Sequence, residues 1–473
     1  MSNTSQASAR IESLLDENSF VEIGAMVTAR STDFNTDPGA APTDGVITGY
    51  GLVNGSLVYV YSQDASVMGG SVGEMHAKKI VSLYSMAMKT GAPVIGLIDS
   101  TGLRLMEATD ALEAFGEIYK AQAMASGVIP QITAVFGSCG GGLALFPSMT
   151  DFTFIEESKG KLFVNSPNAV TGNYEEKLDT AAAAFRSTQS GDVDVVAGDD
   201  IYDRIRLLVS MLPENNEENG AYEECTDDLN RLCTDLSACA NDALVAFSRI
   251  ADDQAFFEVK ADYAKSMVTG FMRLNGITVG AVGNRSEKFD DEGKVAEKFD
   301  KVLTPDACVK AAEFVNFCDA FDIPVVSFTD IRGFETTMDA EKRLSGALAK
   351  LTYAFANATV PKINVITGSA FGSAYVVMNS KSLGADMVFA WSGASVGMMD
   401  ADAAARILFE KEENKAELTA AYKDMQTSVT SAARRGYVDT IIEAQDTRKY
   451  VIGALEMLFT KREERPGRKH GAI

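Results

Sequence analysis

The groups best placed to do chemistry in this chain are backbone amides. They belong to Gly137-Ser-Cys-Gly-Gly-Gly-Leu-Ala144, which follows the apolar run Ile132 to Phe136 and leads on through Leu143-Ala-Leu-Phe146. A strand feeding a glycine turn and then a helix presents free N–H groups at the first helical turn, and residues without a Cβ let a ligand come close. Such donors can hold an oxyanion. A single run would read as no more than a tight turn, but the chain carries a second copy. Pro361-Lys-Ile-Asn-Val-Ile-Thr-Gly-Ser-Ala-Phe-Gly-Ser-Ala-Tyr375 repeats Pro130-Gln-Ile-Thr-Ala-Val-Phe-Gly-Ser-Cys-Gly-Gly-Gly-Leu-Ala144, with Gly368 and Gly137, like Pro361 and Pro130, 231 positions apart. Side chains offer less. The two histidines, His76 and His470, adjoin no serine or cysteine motif, which leaves little for acid–base work. Cys139 reads as a small packing residue rather than a nucleophile. Asp99, Asp330 and Glu107 lack the clustered spacing of metal ligands, and no metal is expected.

The elements that must position these turns are duplicated as well. Gly45 to Val53, Asn54-Gly55 and Ser56 to Tyr61 read as a β-hairpin, answered by Thr269 to Leu274, Asn275-Gly276 and Ile277 to Val279. Here the offset is 221, so about ten extra residues lie between the second hairpin and the second turn, assigned to the polar stretch 285–304. A helix over 72–90 precedes Ala92-Pro-Val-Ile-Gly-Leu-Ile-Asp99, and one over 306–321 precedes Ile323-Pro-Val-Val-Ser-Phe-Thr-Asp330. Strands alternating with helices in each copy predict two tandem α/β domains with largely parallel sheets. The expected boundaries are 1–212, a linker over the acidic stretch 213–245, and 246–473. Arg10 to Leu15 reads as a docking helix, 31–44 as an irregular loop, and Lys461 to His470 as a basic tail after a helix ending near Phe459.

Composition narrows the class. At 473 residues and 46% hydrophobic, the chain can fill two cores. Its 43 basic and 66 acidic residues give a net charge of −23, which argues against nucleic-acid or anionic-membrane binding. No run approaches a bilayer span. Six cysteines without a CxxC pair and a start without signal-peptide character point to reduced thiols and a cytoplasmic protein.

These residues resemble the carboxyltransferase family of biotin-dependent acyl-CoA carboxylases and decarboxylases. The resemblance spans nearly the whole chain and rests on Gln63-Asp64, Gly69-Gly-Ser-Val-Gly-Glu-Met-His-Ala-Lys-Lys79, Gly127-Val-Ile-Pro-Gln131, Thr150-Asp-Phe-Thr-Phe154, Phe317-Cys-Asp-Ala-Phe-Asp-Ile-Pro324, Ala374-Tyr375, Val377-Met378, Gly384-Ala-Asp386, Ala390-Trp391 and Arg435-Gly-Tyr-Val-Asp439. It implies a crotonase-like ββα superhelix in each half and a homo-oligomer, commonly a hexamer built as a trimer of dimers. It also implies acyl-CoA on the N-terminal domain and biotin, delivered on a separate carrier protein, on the C-terminal one. The chain holds neither a biotin-carrier Met-Lys-Met motif nor an ATP-grasp domain, so the expected partners are a biotin carboxyl carrier protein and either a biotin carboxylase or a membrane decarboxylase subunit.

Carboxyl transfer develops charge on the thioester oxygen and on the ureido oxygen of biotin, so two oxyanion holes are needed. By resemblance Gly141 and Gly142 serve the first, and Ser373 and Ala374, with Gly372 beside them, the second. The implied chemistry asks for no protein base. His76 reads as a structural or pocket-edge residue and stands with the substrate-binding candidates. Lys78, Lys79 and Arg104 are candidates for the CoA phosphates, against the alternative of a solvated helix face. The chain departs from the family pattern at Phe371-Gly-Ser-Ala-Tyr-Val376, where Tyr-Gly-Gly-Ala-Tyr-Asp is common, and Val376 thereby bears on acyl chain length. Arg332-Gly333 replaces Pro-Gly, and Leu344-Ser-Gly346 replaces Arg-His-Gly. A biotin-free crotonase-type hydratase or hydrolase is the rival enzyme class, and a non-enzymatic assembly role the third.

Overall fold

Two compact units, Met1–Ala221 and Tyr222–Ile473, make up the chain. The computed structural model describes residues 5–32, 34, 41, 43–218, 221–290, 292–466 and 470–472. Most of the expected loop 31–44 and part of the basic tail therefore lie outside the described residues.

In the first unit, α1 (Gln6–Leu14) leads to β1 (Val21–Ile23) and then to the hairpin β2 (Val46–Val53) and β3 (Ser56–Gln63). Asn54 and Gly55 both take positive φ, as a two-residue turn matching the strand twist requires. Helix α2 (Glu74–Thr90) then crosses to β4 (Val94–Ser100), and α3 (Ala108–Ala125) crosses to β5 (Gln131–Gly140). Next come α4 (Leu145–Ser148), β6 (Phe152–Glu156), β7 (Lys161–Phe163) and β8 (Asp194–Val196). The strands lie in the order β1-β2-β3-β4-β5-β6-β8, with β7 on the far end of β5. β1, β2 and β3 pair antiparallel and the rest parallel. Val94 to Ile98 and Ile132 to Val135 are buried, as strands covered on both faces must be. Ile80 and Leu83 of α2 and Ile118 of α3 close the core over them.

The second unit repeats this plan. Strand β9 (Phe256–Val259) precedes the hairpin β10 (Met267–Leu274) and β11 (Ile277–Asn284). The extra residues expected in 285–304 form a small hairpin, β12 (Glu287–Phe289) and β13 (Val295–Lys298), followed by β14 (Val302–Leu303). Helix Pro305–Ala320 leads to β15 (Val325–Ile331) and β16 (Gly333–Phe334), and helix Met338–Asn357 to β17 (Lys362–Phe371). Strands β18 (Met387–Trp391), β19 (Ser395–Gly397) and β20 (Thr440–Ile442) complete the set. The sheet order is β20-β18-β17-β15-β11-β10-β9, with β19 on β17 as β7 lies on β5.

The expected linker requires correction over 222–245. Cys233 and Leu236 are buried in the second core beside Phe247, and Arg448 donates to the carbonyl of Asp228 at 3.2 Å. The polar average of this stretch conceals a few apolar residues that find a core only in three dimensions. No described helix is long and apolar enough to cross a membrane.

Candidate active site

The two turns occupy the same place in the two units. Strand β5 ends at Gly140 and a 3-10 turn Gly141–Ala144 follows; β17 ends at Phe371 and helix Gly372–Val377 follows. Gly141 and Gly372 have φ of 64° and 62°, a backbone that side-chain-bearing residues rarely adopt. In both, the last residues before the turn pair with a short parallel strand, Ser138 to Gly140 with β7 and Ser369 to Phe371 with β19. The turn-heading amides of Gly141 and Gly142, and of Gly372, Ser373 and Ala374, thus start a helical turn, where N–H groups lack intrahelical acceptors.

Sequence reasoning missed the residue that props the first turn. Tyr119, on α3, donates its hydroxyl to the Gly142 carbonyl at 2.7 Å. Partial burial raises its pKa, which keeps the hydroxyl a donor. Its ring stacks on Phe115 and meets Phe146 edge-on. Nothing in sequence joins Tyr119 to Gly142; the contact exists because α3 packs back over β5. Cys139 is buried with its thiol directed at the Leu143 carbonyl, and burial pushes its pKa far up, which fits packing rather than attack.

Three of the expected substrate-binding residues are committed to the interior. Arg104 is 2% exposed; its guanidinium pairs with Asp44, with Glu107 at 2.8 Å and with the Ser71 carbonyl at 2.6 Å. Glu107 in turn accepts the Glu74 N–H at 2.6 Å, capping α2. Lys79 donates to the carbonyls of Thr43, at 3.1 Å, and Val46, and burial lowers its pKa to about 8. The duplicated position, Lys310, likewise donates to two carbonyls, of Lys260 and Tyr263. Two copies of one buried tie identify Lys79 as a structural residue and not a phosphate ligand. The alternative of a solvated helix face stays open in sequence because most of the partners of Lys79 and Arg104, namely Thr43, Asp44, Val46 and Ser71, lie more than thirty residues away along the chain.

His76 is fully buried, so it is not at a pocket edge. The Gln63 amide donates to its Nε2 at 3.2 Å, which places the ring proton on Nδ1, donated to the Asp44 carbonyl at 2.9 Å. Burial, reinforced by Arg104, lowers its pKa from 6.5 to about 3. Below pH 6.5 the unfolded chain takes up a proton that the folded ring refuses until about pH 3, so stability is lost as pH falls through that window. The expected cost between pH 7 and 4 is roughly 3 kcal/mol at about 1.4 kcal/mol per pH unit. In urea melts at both pH values, His76→Gln should be less stable at neutral pH and lose about that much less on acidification. Equal losses in the two proteins would refute the assignment.

Lys78 and Val376 remain outside the core. Lys78 is half-exposed and pairs with Glu74 one helical turn away at 2.6 Å. Val376 is exposed on helix Gly372–Val377, beside the second turn. His470 is exposed.

Known proteins share this arrangement over almost the whole chain. The carboxyl transferase domain family matches residues 3–473. The chain is 39% identical to methylmalonyl-CoA decarboxylase subunit alpha of Veillonella parvula, over 99% of this chain and 92% of that protein. It is also 39% identical to the mitochondrial propionyl-CoA carboxylase beta chain of Homo sapiens, over 99% and 88%. Among solved structures it is similar to the transcarboxylase 12S hexamer with methylmalonyl-coenzyme A bound, with a TM-score of 0.91, 37% identity, and coverage of 98% and 92%. The chain belongs to the carboxyl transferase family, as its duplicated turns and ordered motifs imply, and is an acyl-CoA carboxyltransferase.

Proposed function

We propose that this chain is the carboxyltransferase subunit that moves a carboxyl group between biotin and the α-carbon of a short-chain acyl-CoA, of the propionyl/methylmalonyl or acetyl/malonyl type. The observation that carries this reading is the repeated turn, one in each unit, with the same positive-φ glycine at its head. A hydratase or hydrolase needs one such hole; a transfer between two acceptors needs two.

The residues of both turns fit the groups assigned to them. A Cβ on Gly142 would lie 2.9 Å from the Tyr119 hydroxyl, and one on Gly372 would lie 3.3 Å from the Met398 carbonyl, so both cradles are shaped for bare backbone. Biotin supplies the ring nitrogen that carries the carboxyl group. In the first unit, Gly141 and Gly142 hold the thioester oxygen as the bond to the carboxyl carbon breaks or forms and negative charge collects there. In the second, Ser373 and Ala374, with Gly372, hold the ureido oxygen. Preorganised amides stabilise such charge without reorganising, at about 10²–10³ in rate per donor. Lys78 is the remaining cation of its cluster for the CoA phosphates, and Val376 bounds the space at the second turn. The reading includes a carrier protein that presents the biotin, a biotin carboxylase or membrane decarboxylase subunit as further partner, a hexameric assembly of this chain, and a cytoplasmic location.

The test is loss of methylmalonyl-CoA, and separately of malonyl-CoA, upon addition of free biotin to the purified chain. Biotin-dependent loss of one of them supports the reading and names the acyl group. Turnover of an acyl-CoA that ignores biotin would establish the hydrolase reading instead.

A further inference from the structure

Asp99 and Asp330 are duplicates, and neither metal binding nor the oxyanion chemistry accounts for them. Each is the next-to-last residue of a parallel strand, β4 or β15, at the point where the pairing with the next strand slips, between Ile98 and Ser100 in one unit and between Thr329 and Ile331 in the other. Each has its backbone N–H tied to a side-chain amide oxygen of the preceding hairpin, Gln63 in the first unit and Asn284 in the second, both at 3.2 Å. Each carboxylate is paired with a cation from a separate element: Asp99 with Arg10 of α1 at 2.7 Å, and Asp330 with Lys301 beside β14. Each also presses on the glycine of a Gly-Ser step in the neighbouring strand. A Cβ on Gly368 would lie 2.6 Å from the Asp330 carboxylate, and one on Gly137 would run into that of Asp99. In the second unit the carboxylate accepts the Ser369 N–H at 2.8 Å. The oxyanion turns begin four residues beyond these glycines, at Gly141 and Gly372.

A strand that has slipped out of regular pairing needs another anchor to fix where its end points. We propose that Asp99 and Asp330 are positioning residues for carboxyl transfer: each, held by its cation, pins the Gly-Ser step at the slip and thereby sets the aim of the amides in the turn of its own unit. The proposal rests on the reading of the two turns as oxyanion holes. It explains why the Asp and the Gly-Ser step persist in both copies while the cation changes from Arg to Lys and comes from an unrelated element: the requirement is for a charge that fixes the carboxylate. Cavities of about 640 Å³ beside Arg10 and about 490 Å³ beside Lys301 let a neutral side chain replace either cation without crowding.

The test uses the full chain with Asp330→Asn, Asp99→Asn, Lys301→Met and Lys301→Arg. Misplacement of a reacting group by about 1 Å costs on the order of 10²-fold. Asp330→Asn and Lys301→Met should therefore lower kcat with free biotin by roughly 10- to 100-fold, leave KM for the acyl-CoA and the melting temperature nearly unchanged, and combine to a loss no greater than the larger single one. Lys301→Arg, which keeps the charge, should retain activity. Amide hydrogen exchange reads the positioning without turnover. Asp330→Asn should speed exchange in peptides covering 371–375 and not in those covering 139–144, and Asp99→Asn should do the reverse. Unchanged exchange at the matched turn in both variants, or a parallel fall of kcat, KM and melting temperature, would overturn the proposal. The expected exchange pattern in a protein without biotin-dependent turnover would overturn the functional reading and leave the positioning standing.

Discussion

Replacing Gly142 with valine is expected to lower kcat for carboxyl transfer by about 10²–10³-fold, the effect of losing one well-aimed oxyanion donor. The reason is local. A Cβ at this position comes to 2.9 Å from the Tyr119 hydroxyl, itself bonded to the Gly142 carbonyl at 2.7 Å, so the branched side chain must displace either the ring or the turn. The ring is held by Phe115 and Phe146, which leaves the turn to move. KM for the acyl-CoA and CoA affinity by calorimetry should change little, because contacts formed equally with substrate and transition state are untouched. Tyr119→Phe in the same chain opens the space of one oxygen, so the double variant should recover part of the lost rate. Full activity of Gly142→Val would remove this turn from the chemistry.

The second large effect is on stability. Arg104→Met should destabilise the first unit by about 3–5 kcal/mol, the usual result of leaving buried carboxylates without their cation. Asp44 and Glu107 would then face each other in the interior with only backbone donors. Burial already outweighs the guanidinium and raises the Asp44 pKa, with Glu107 adding to the rise. Removing Arg104 lifts it further. A carboxyl whose folded pKa stands above its unfolded value costs stability as pH rises through that window, so the deficit of Arg104→Met should be largest at neutral pH and shrink as the solution is acidified toward the ordinary carboxylate range near 4. Urea melts of the two proteins at pH 5 and pH 7.5 measure this; a deficit that grows on acidification, or one below 1 kcal/mol, would contradict it. Because Glu107 also caps α2, loss of helical signal at 222 nm should accompany the first transition.

How much was legible in sequence follows from which interactions are local. The two α/β copies, their hairpins, the glycine turns and the inserted residues near 285–304 are written in hydrophobic period, in Asn-Gly and in repeats of sequence. Those patterns depend on neighbours within a few residues, and duplication allows one copy to check the other. The family could be read for the same reason: its motifs are stretches of backbone that must turn or approach closely, and such needs restrict residue type position by position.

Partners across space were a different matter. In sequence, Lys79 and Arg104 stand as candidates for the CoA phosphates because an acidic protein needs local cations there, and His76 as a structural or pocket-edge residue. Their fate was decided by Asp44, Thr43, Gln63 and Ser71, which only the packed sheet brings within hydrogen-bonding distance. The same holds for Tyr119 against Gly142 and for the cations that hold Asp99 and Asp330. Sequence fixes what each backbone segment can become, since propensity and periodicity act along the chain. Burial decides what each charged side chain does, since the cost of removing a charge from water depends on the partners that the tertiary fold supplies.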